Sequence, residues 1–243
     1  MRVPAILVTS TFLFLASAVS PGLAQSPDLE ARMAVLEKKV ANLENSRAIE
    51  RLFRAYGYYF DKGLWKETTT LFADDAVVEI AQRGVYRGRA SVERLFTKLF
   101  GRDQNCLQPG GLNNHLILQP IINVDDDGIN ATGRARIIGM LAVRGKDFML
   151  QEGIYNLQFR KDGGIWRISN LHYYGDIYAI VPQGLAQYPV PQSAASKDVP
   201  PDDPPSVVYE SYPGYFVPEF PYPNPVTGKK TEVAECNNRP RQN

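Results

Sequence analysis

The chain is poor in the residues that most often carry chemistry. It has 243 residues but only two cysteines, Cys106 and Cys236, and two histidines, His115 and His172. Two thiols and two distant imidazoles do not make a zinc-ligand spacing, so no metal and no cofactor is expected. Charge of one sign is also missing. There are 27 basic and 26 acidic residues, a formal net charge of +1, so no field marks a nucleic-acid partner. The phosphate-binding and nucleophile-elbow motifs are absent: no Walker loop, no Gly-x-Gly-x-x-Gly and no Gly-x-Ser-x-Gly. No long apolar run follows the first two dozen residues, so the mature chain is expected to leave the membrane once that segment is removed.

That first segment reads as a signal peptide, residues 1–24. Met1-Arg2 is its positive end, residues 3–19 are its apolar run, and "GLAQ" is a small-x-small site cut after Ala24. A membrane anchor is the other reading, but the apolar core is short for one. The expected location is periplasmic or secreted. Such a compartment is oxidising and permits a disulfide. Cys106 and Cys236 are expected to pair and to fasten the tail over the loop before His115, two free or intermolecular thiols being the alternative.

Residues 25–45 form a leader helix. Leu29, Met33, Leu36, Val40 and Leu43 fall at 4-3-4-3 spacing, the seam of a short coiled coil. A dimer or trimer is expected from it, a solvated leader helix being the plainer reading. After Ser46 the stripe shifts to Ile49, Leu52, Phe53, Tyr56 and Phe60, a wider core-facing surface. Gly63 ends the helix. A short helix near 64–72, a strand at 76–82 with its return at 84–88, and a third helix at 91–100 follow. Strands are expected at 112–124, 129–143, 147–160 and 165–178, with turns at "DDDG" and "KDGG". The fold class is α+β: a cone-shaped barrel of curved antiparallel sheet packed on N-terminal helices, spanning 46–180. Such a cone offers a cavity for a small ligand. Residues 181–243 form an irregular C-terminal arm. Twelve of the 18 prolines lie in 182–225, yet its tyrosines and phenylalanines make it too aromatic for a wholly solvated tail.

One residue is misplaced by local rules. Asp61 closes the aromatic helix "AYGYYFD", where a carboxylate meets the negative end of the helix dipole. Misfits of this kind cluster at functional sites.

The stretch from Ile49 through "YFDKGLW" to "GVYRGRASVERLF", and the last hairpin "EGIYNLQFRKDGGIWRISNLHYYGDIY", resemble SnoaL-like domains of the nuclear-transport-factor-two-like superfamily. That fold hosts dehydratases, isomerases, cyclases, hydrolases and binding modules. Within it, "YFDKGLW" and "NNHLIL" (113–118) are similar to the two segments of the scytalone-dehydratase type that carry its aspartate and histidine. The resemblance implies that Asp61 orients His115, which then moves protons. A lone His on a strand is otherwise a satisfied core residue. The family's second histidine has no counterpart in "NATGRARII" (130–138), which leaves the second proton donor unassigned. A further likeness is to bacterial lyases that release formaldehyde from phenolic diaryl compounds.

Tyr56 reads as core, while Tyr58 and Tyr59 are candidates to point a hydroxyl into the cavity. Tyr86, Glu79, Arg134 and His172 are candidate substrate contacts; Glu79 and Arg134 also suit a solvated strand face. The expected function is a cofactor-free lyase acting on a small phenolic or polycyclic aromatic compound and eliminating water or formaldehyde. The alternatives are a non-catalytic binding or assembly module, or an isomerase.

Overall fold

The structure, a computed structural model, describes residues 27–143, 147–182, 196, 198, 201–209 and 214–238. The signal peptide expected at 1–24 lies outside the described residues, as does part of the arm. The chain divides into two compact units, 1–39 and 40–243. Among the described residues no helix is long and apolar enough to cross a membrane.

Helix α1 runs Pro27–Asp61. Met33, Leu36, Val40 and Leu43 are exposed. Burial begins at Asn45, whose Oδ1 accepts from Trp166 Nε1 at 3.1 Å and from Lys161 Nζ at 2.9 Å. Beyond it Ile49, Leu52, Phe53, Tyr56 and Phe60 are buried, the wide stripe that the shift in spacing marks. Gly63, at φ +64°, turns the chain, and Gly63 N–H closes on the Phe60 carbonyl at 3.1 Å.

Then follow α2 (Trp65–Thr70), β1 (Phe72–Ile80), β2 (Val85–Arg87) and α3 (Arg89–Glu93), which widens into a π-helical turn over Arg94–Phe100. β3 (Leu112–Val124), β4 (Asn130–Val143), β5 (Asp147–Asp162) and β6 (Ile165–Val181) form a meander, and α4 (Ala234–Asn237) lies in the arm. The six strands make one sheet in the order β2-β1-β6-β5-β4-β3. The sheet is open, with β2 and β3 at its edges, where a closed cone is the sequence expectation. It is also mixed rather than wholly antiparallel, since β1 pairs β6 in parallel. The reason is topological: a helical crossover separates the β1–β2 hairpin from the meander, so β6 returns beside β1 in the same direction. Pro120 on edge strand β3 accompanies a break in register between Leu118 and Ile121.

One face of the sheet carries Val78, Ala135, Ile137, Tyr155, Leu157, Phe159 and Tyr173, all buried. Strand alternation puts their neighbours on the other, outer face. Against the buried face pack α1, α2 and the π-helical turn, through rings of Phe60, Trp65, Phe72 and Phe96 at centroid distances of 5–6.5 Å.

The described arm is tied down along its length. Cys106 and Cys236 form a disulfide across 130 residues. Asn224 Nδ2 donates to Glu67 Oε2 and Thr70 Oγ1, both at 2.9 Å, and Asn237 exchanges hydrogen bonds with the Val217 backbone.

Candidate active site

The end of α1 leaves carbonyls without helical partners, and three elements satisfy them. Asn113 Nδ2 of β3 donates to the Phe60 carbonyl at 3.3 Å. Tyr215 Oη of the arm donates to the Lys62 carbonyl at 2.5 Å. Cys106 N–H donates to the Gly63 carbonyl at 2.6 Å. The helix end is thus held by the β3 edge, the disulfide loop and the arm together. That grip places Asp61 beside His115.

Asp61 Oδ1 accepts the backbone N–H of His115 at 2.6 Å. The same oxygen lies 3.5 Å from His115 Nδ1. So the carboxylate that looks misplaced on its helix is anchored by the backbone of the strand it faces. His115 is 7% exposed and Asp61 9%. The Phe60 ring stands edge-on to the imidazole at 4.5 Å. His115 Nδ1 is buried without a hydrogen bond, and Asp61 is the acceptor that faces it. The other ring nitrogen, Nε2, meets Gln151 Nε2 at 2.8 Å.

Two phenols lie farther in. Tyr56 and Tyr155 bring their oxygens to 3.5 Å in the core. Burial raises the Tyr56 pKa strongly; its bond to Tyr155 lowers it in part, and Asp61 adds to the rise. Burial also raises Tyr155, with Tyr56 and Asp61 contributing. Both are therefore neutral hydrogen-bonding groups rather than phenolates.

Asp61 also lines a cleft of about 430 Å3 between the sheet end and the arm. Lys62, Leu107 and Asn113 form one side, and Tyr209, Tyr215 and Phe216 the other. Tyr209 and Phe216 stack at 5.1 Å. An apolar, aromatic cleft with a few convergent polar groups suits a small ligand.

The other candidates are placed elsewhere. Tyr58 is exposed on the outside of α1. Tyr59 is buried, but its hydroxyl meets Thr231 in the arm at 2.9 Å. Neither reaches His115, because a helix advances about 100° per residue and its sheet-facing stripe at this point belongs to Tyr56 and Phe60, while Tyr59 turns toward the arm. Glu79, His172 and Arg134 sit together, but on the outer face. Glu79 pairs with His172, His172 with Asn156, and Asn156 with Arg134, across four strands. His172 Nδ1 lies 3.6 Å from Glu79 Oε2, and Arg134 Nε donates to Asn156 Oδ1 at 2.8 Å. They are separated from the Asp61–His115 pair by the sheet itself. Tyr86 packs against the core from edge strand β2. Among the described residues no group of three or more His, Cys, Asp or Glu side chains is arranged to hold a metal ion.

Gln151 is the residue that sequence reasoning missed. A signal existed in Gly139, a glycine inside a strand, which marks a close approach.

Several solved structures share this architecture. A candidate scytalone dehydratase from Novosphingobium aromaticivorans DSM 12444 superposes with a TM-score of 0.50 at 18% identity, over 60% of this chain and 95% of that one. The hexachlorocyclohexane dehydrochlorinase LinA-type3 from Novosphingobium barchaimii LL02 gives 0.51 at 16% identity, over 59% of this chain and 94% of that one. LinA gives 0.53 at 16% identity, over 63% and 99% respectively. These likenesses are likenesses of fold. No curated protein matches the chain. Residues 41–172, more than half of the sequence, match the family model of the SnoaL-like domain, and the chain belongs to that family.

Proposed function

We propose that this chain is an exported lyase that performs proton-transfer elimination on a small aromatic substrate through His115 and Asp61. One observation carries the reading: a buried imidazole whose Nδ1 has no hydrogen bond lies 3.5 Å from the carboxylate of Asp61. A buried polar atom left without a partner is uncommon and calls for a reason; an Nδ1–H held toward the Asp61 carboxylate, leaving Nε2 to move protons, is one. The fold likeness to a dehydrochlorinase and a candidate dehydratase supports elimination as the reaction class. The cleft walled by Tyr209, Tyr215 and Phe216 beside Asp61 supports an aromatic substrate. The disulfide supports an oxidising compartment, periplasmic or extracellular.

In this mechanism His115 Nε2 removes a proton from a substrate carbon. The electron pair left behind forms the new carbon–carbon double bond as the neighbouring C–O bond breaks. The imidazolium returns its proton to the departing oxygen, and water leaves. In the formaldehyde variant the proton comes from a hydroxymethyl oxygen, the C–C bond breaks, and the carbon that keeps the electron pair is reprotonated. Asp61 acts through Nδ1–H: it fixes the ring and stabilises its charge between the two transfers. The neutral phenols of Tyr56 and Tyr155 lie deeper in the core and do not compete for the proton.

The second reading is a binding module using the same cleft. It is favoured by the Gln151 amide, which covers Nε2. Asp61→Asn separates the two. The purified mature protein is screened against phenolic dimers and hydroxylated polycycles, with products read by mass. An active protein is expected to lose about 10²–10⁴ in turnover on Asp61→Asn while ligand affinity changes only a few-fold. Binding without any product, equal in both proteins, selects the module.

A further inference from the structure

His115, Gly139 and Gln151 stand in one row across three strands. His115 of β3 is the register partner of Gly139 in β4, and Gly139 is the partner of Gln151 in β5. All three side-chain positions face the core. Gln151 reaches His115 only by lying over the middle strand, and it can do so only because that strand has no side chain there. A Cβ on Gly139 would stand 2.4 Å from Gln151 Cγ and 2.5 Å from its Nε2, closer than real contacts allow. The amide arrives 2.8 Å from His115 Nε2 and is itself 6% exposed.

We infer that Gln151 is a positioning residue for His115: reaching through the gap at Gly139, its amide fixes the imidazole proton on Nδ1, toward Asp61, and holds Nε2 as a covered lone pair. The inference deepens the acid–base reading and takes its catalytic meaning from it, although the hydrogen-bond arrangement stands without it. Two groups decide the tautomer, and they agree. The amide nitrogen is a donor only, so Nε2 must accept. On the opposite side, Asp61 Oδ1 at 3.5 Å from Nδ1 is an acceptor. The reverse arrangement, with the amide carbonyl accepting from Nε2–H, would set the Nδ1 lone pair against a carboxylate oxygen with no proton between them. Asp61 supplies the charge from α1, Phe60 supplies an apolar edge, and the charged pair Arg136–Glu152 lies on the outer face.

The consequence concerns the substrate. Nε2 becomes available only when another acceptor takes over the amide N–H of Gln151. A substrate with a carbonyl or hydroxyl oxygen next to the carbon that loses its proton can do this: its oxygen receives the amide as its C–H meets Nε2. An amide cannot give up a proton at neutral pH, so Gln151 polarises that oxygen. This is a different contribution from that of the missing second histidine.

The test uses the full mature chain labelled with 15N. With two histidines in the sequence, His172→Gln assigns the remaining signals to His115. Long-range 1H–15N spectra at a pH where the ring is neutral should show Nδ1 protonated and Nε2 bare. A proton on Nε2 overturns the inference whether or not any activity is found. In Gln151→Leu the Nε2 signal should move toward that of an uncovered lone pair and the second tautomer should become populated; an unchanged spectrum also overturns it. Gly139→Ala should reproduce the Gln151→Leu spectrum with the glutamine still present. If that variant does not fold, Gln151→Leu, which keeps nearly the same volume, decides alone. Where turnover exists, Gln151→Leu should lower kcat more than it raises KM. If the tautomer is as expected and no substrate is turned over, the acid–base reading fails and the positioning role stands.

Discussion

Tyr59 and Thr231, 172 residues apart, share a buried hydroxyl–hydroxyl hydrogen bond of 2.9 Å. The bond joins the last turn of α1 to the arm, and Phe220 packs edge-on to the Tyr59 ring at 5.2 Å. Tyr59→Phe keeps the ring and removes the bond. It should lower stability by about 1 kcal/mol, and Thr231→Val should do the same. A double-mutant cycle in urea checks the pairing: the two losses should not add, because each variant removes the same bond.

Reduction of Cys106–Cys236 should destabilise the protein without unfolding it at room temperature. The closed loop spans 130 residues. The chain-entropy model gives about 4–5 kcal/mol for a loop of that order. The observed loss should be smaller, because Tyr59, Lys62 and Glu67 still hold the arm. Thermal melts with and without reductant, repeated on Cys236→Ser, measure it. Limited proteolysis of the reduced protein should cut first within 201–238.

Stability should fall steeply in alkali. Burial raises the folded-state pKa values of Tyr56 and Tyr155 above the ordinary tyrosine value near 10, and that of Tyr222 to about 12. In the unfolded chain all three lose their protons near pH 10. Below that value both states are protonated and the contribution is fully present. Above it the unfolded state binds fewer protons than the folded one, so stability drops as pH rises from about 10 toward the raised folded values. Urea midpoints from pH 8 to pH 11 report the slope. Tyr155→Phe should flatten it.

The row Met33, Leu36, Val40 and Leu43 is exposed on α1, and the sequence spacing fits a helical partner. The mature protein is expected to sediment as a dimer or trimer at micromolar concentration, and Leu36→Glu with Val40→Glu should shift it to a smaller species. A wild-type monomer would refute this assembly.

The long strands were legible because each buries one face and two of their connections are strong turn sequences. Alternation and the "DDDG" and "KDGG" turns locate β3 to β6 within a few residues. The proximity of Asp61 and His115 could be read only by resemblance, since 54 residues separate them and no local period connects them. Tyr58 and Tyr59 show what helix periodicity leaves open. It says which side is buried, yet Tyr59 is buried by an arm whose course no pattern reveals. Arg134 faces outward, in keeping with the solvated strand face that its alternation with small residues such as Ala135 suits. Gln151 depends on register across three strands, which a single sequence does not state.

The arm that walls the cleft is synthesised after every strand of the sheet. Thr231 and Cys236 follow every strand of the sheet, and their partners Tyr59 and Cys106 lie in the first half. The cleft beside Asp61 is therefore completed only when the arm returns to the end of α1 and the loop of Cys106. Such long-range closure is slow compared with forming the β3–β6 meander. A nascent or truncated chain stopping before Thr231 would carry His115 and Asp61 in an assembled sheet, yet lack the Tyr209, Tyr215 and Phe216 wall in its fastened position. Competence for ligand would then mark arrival of the arm at the end of α1.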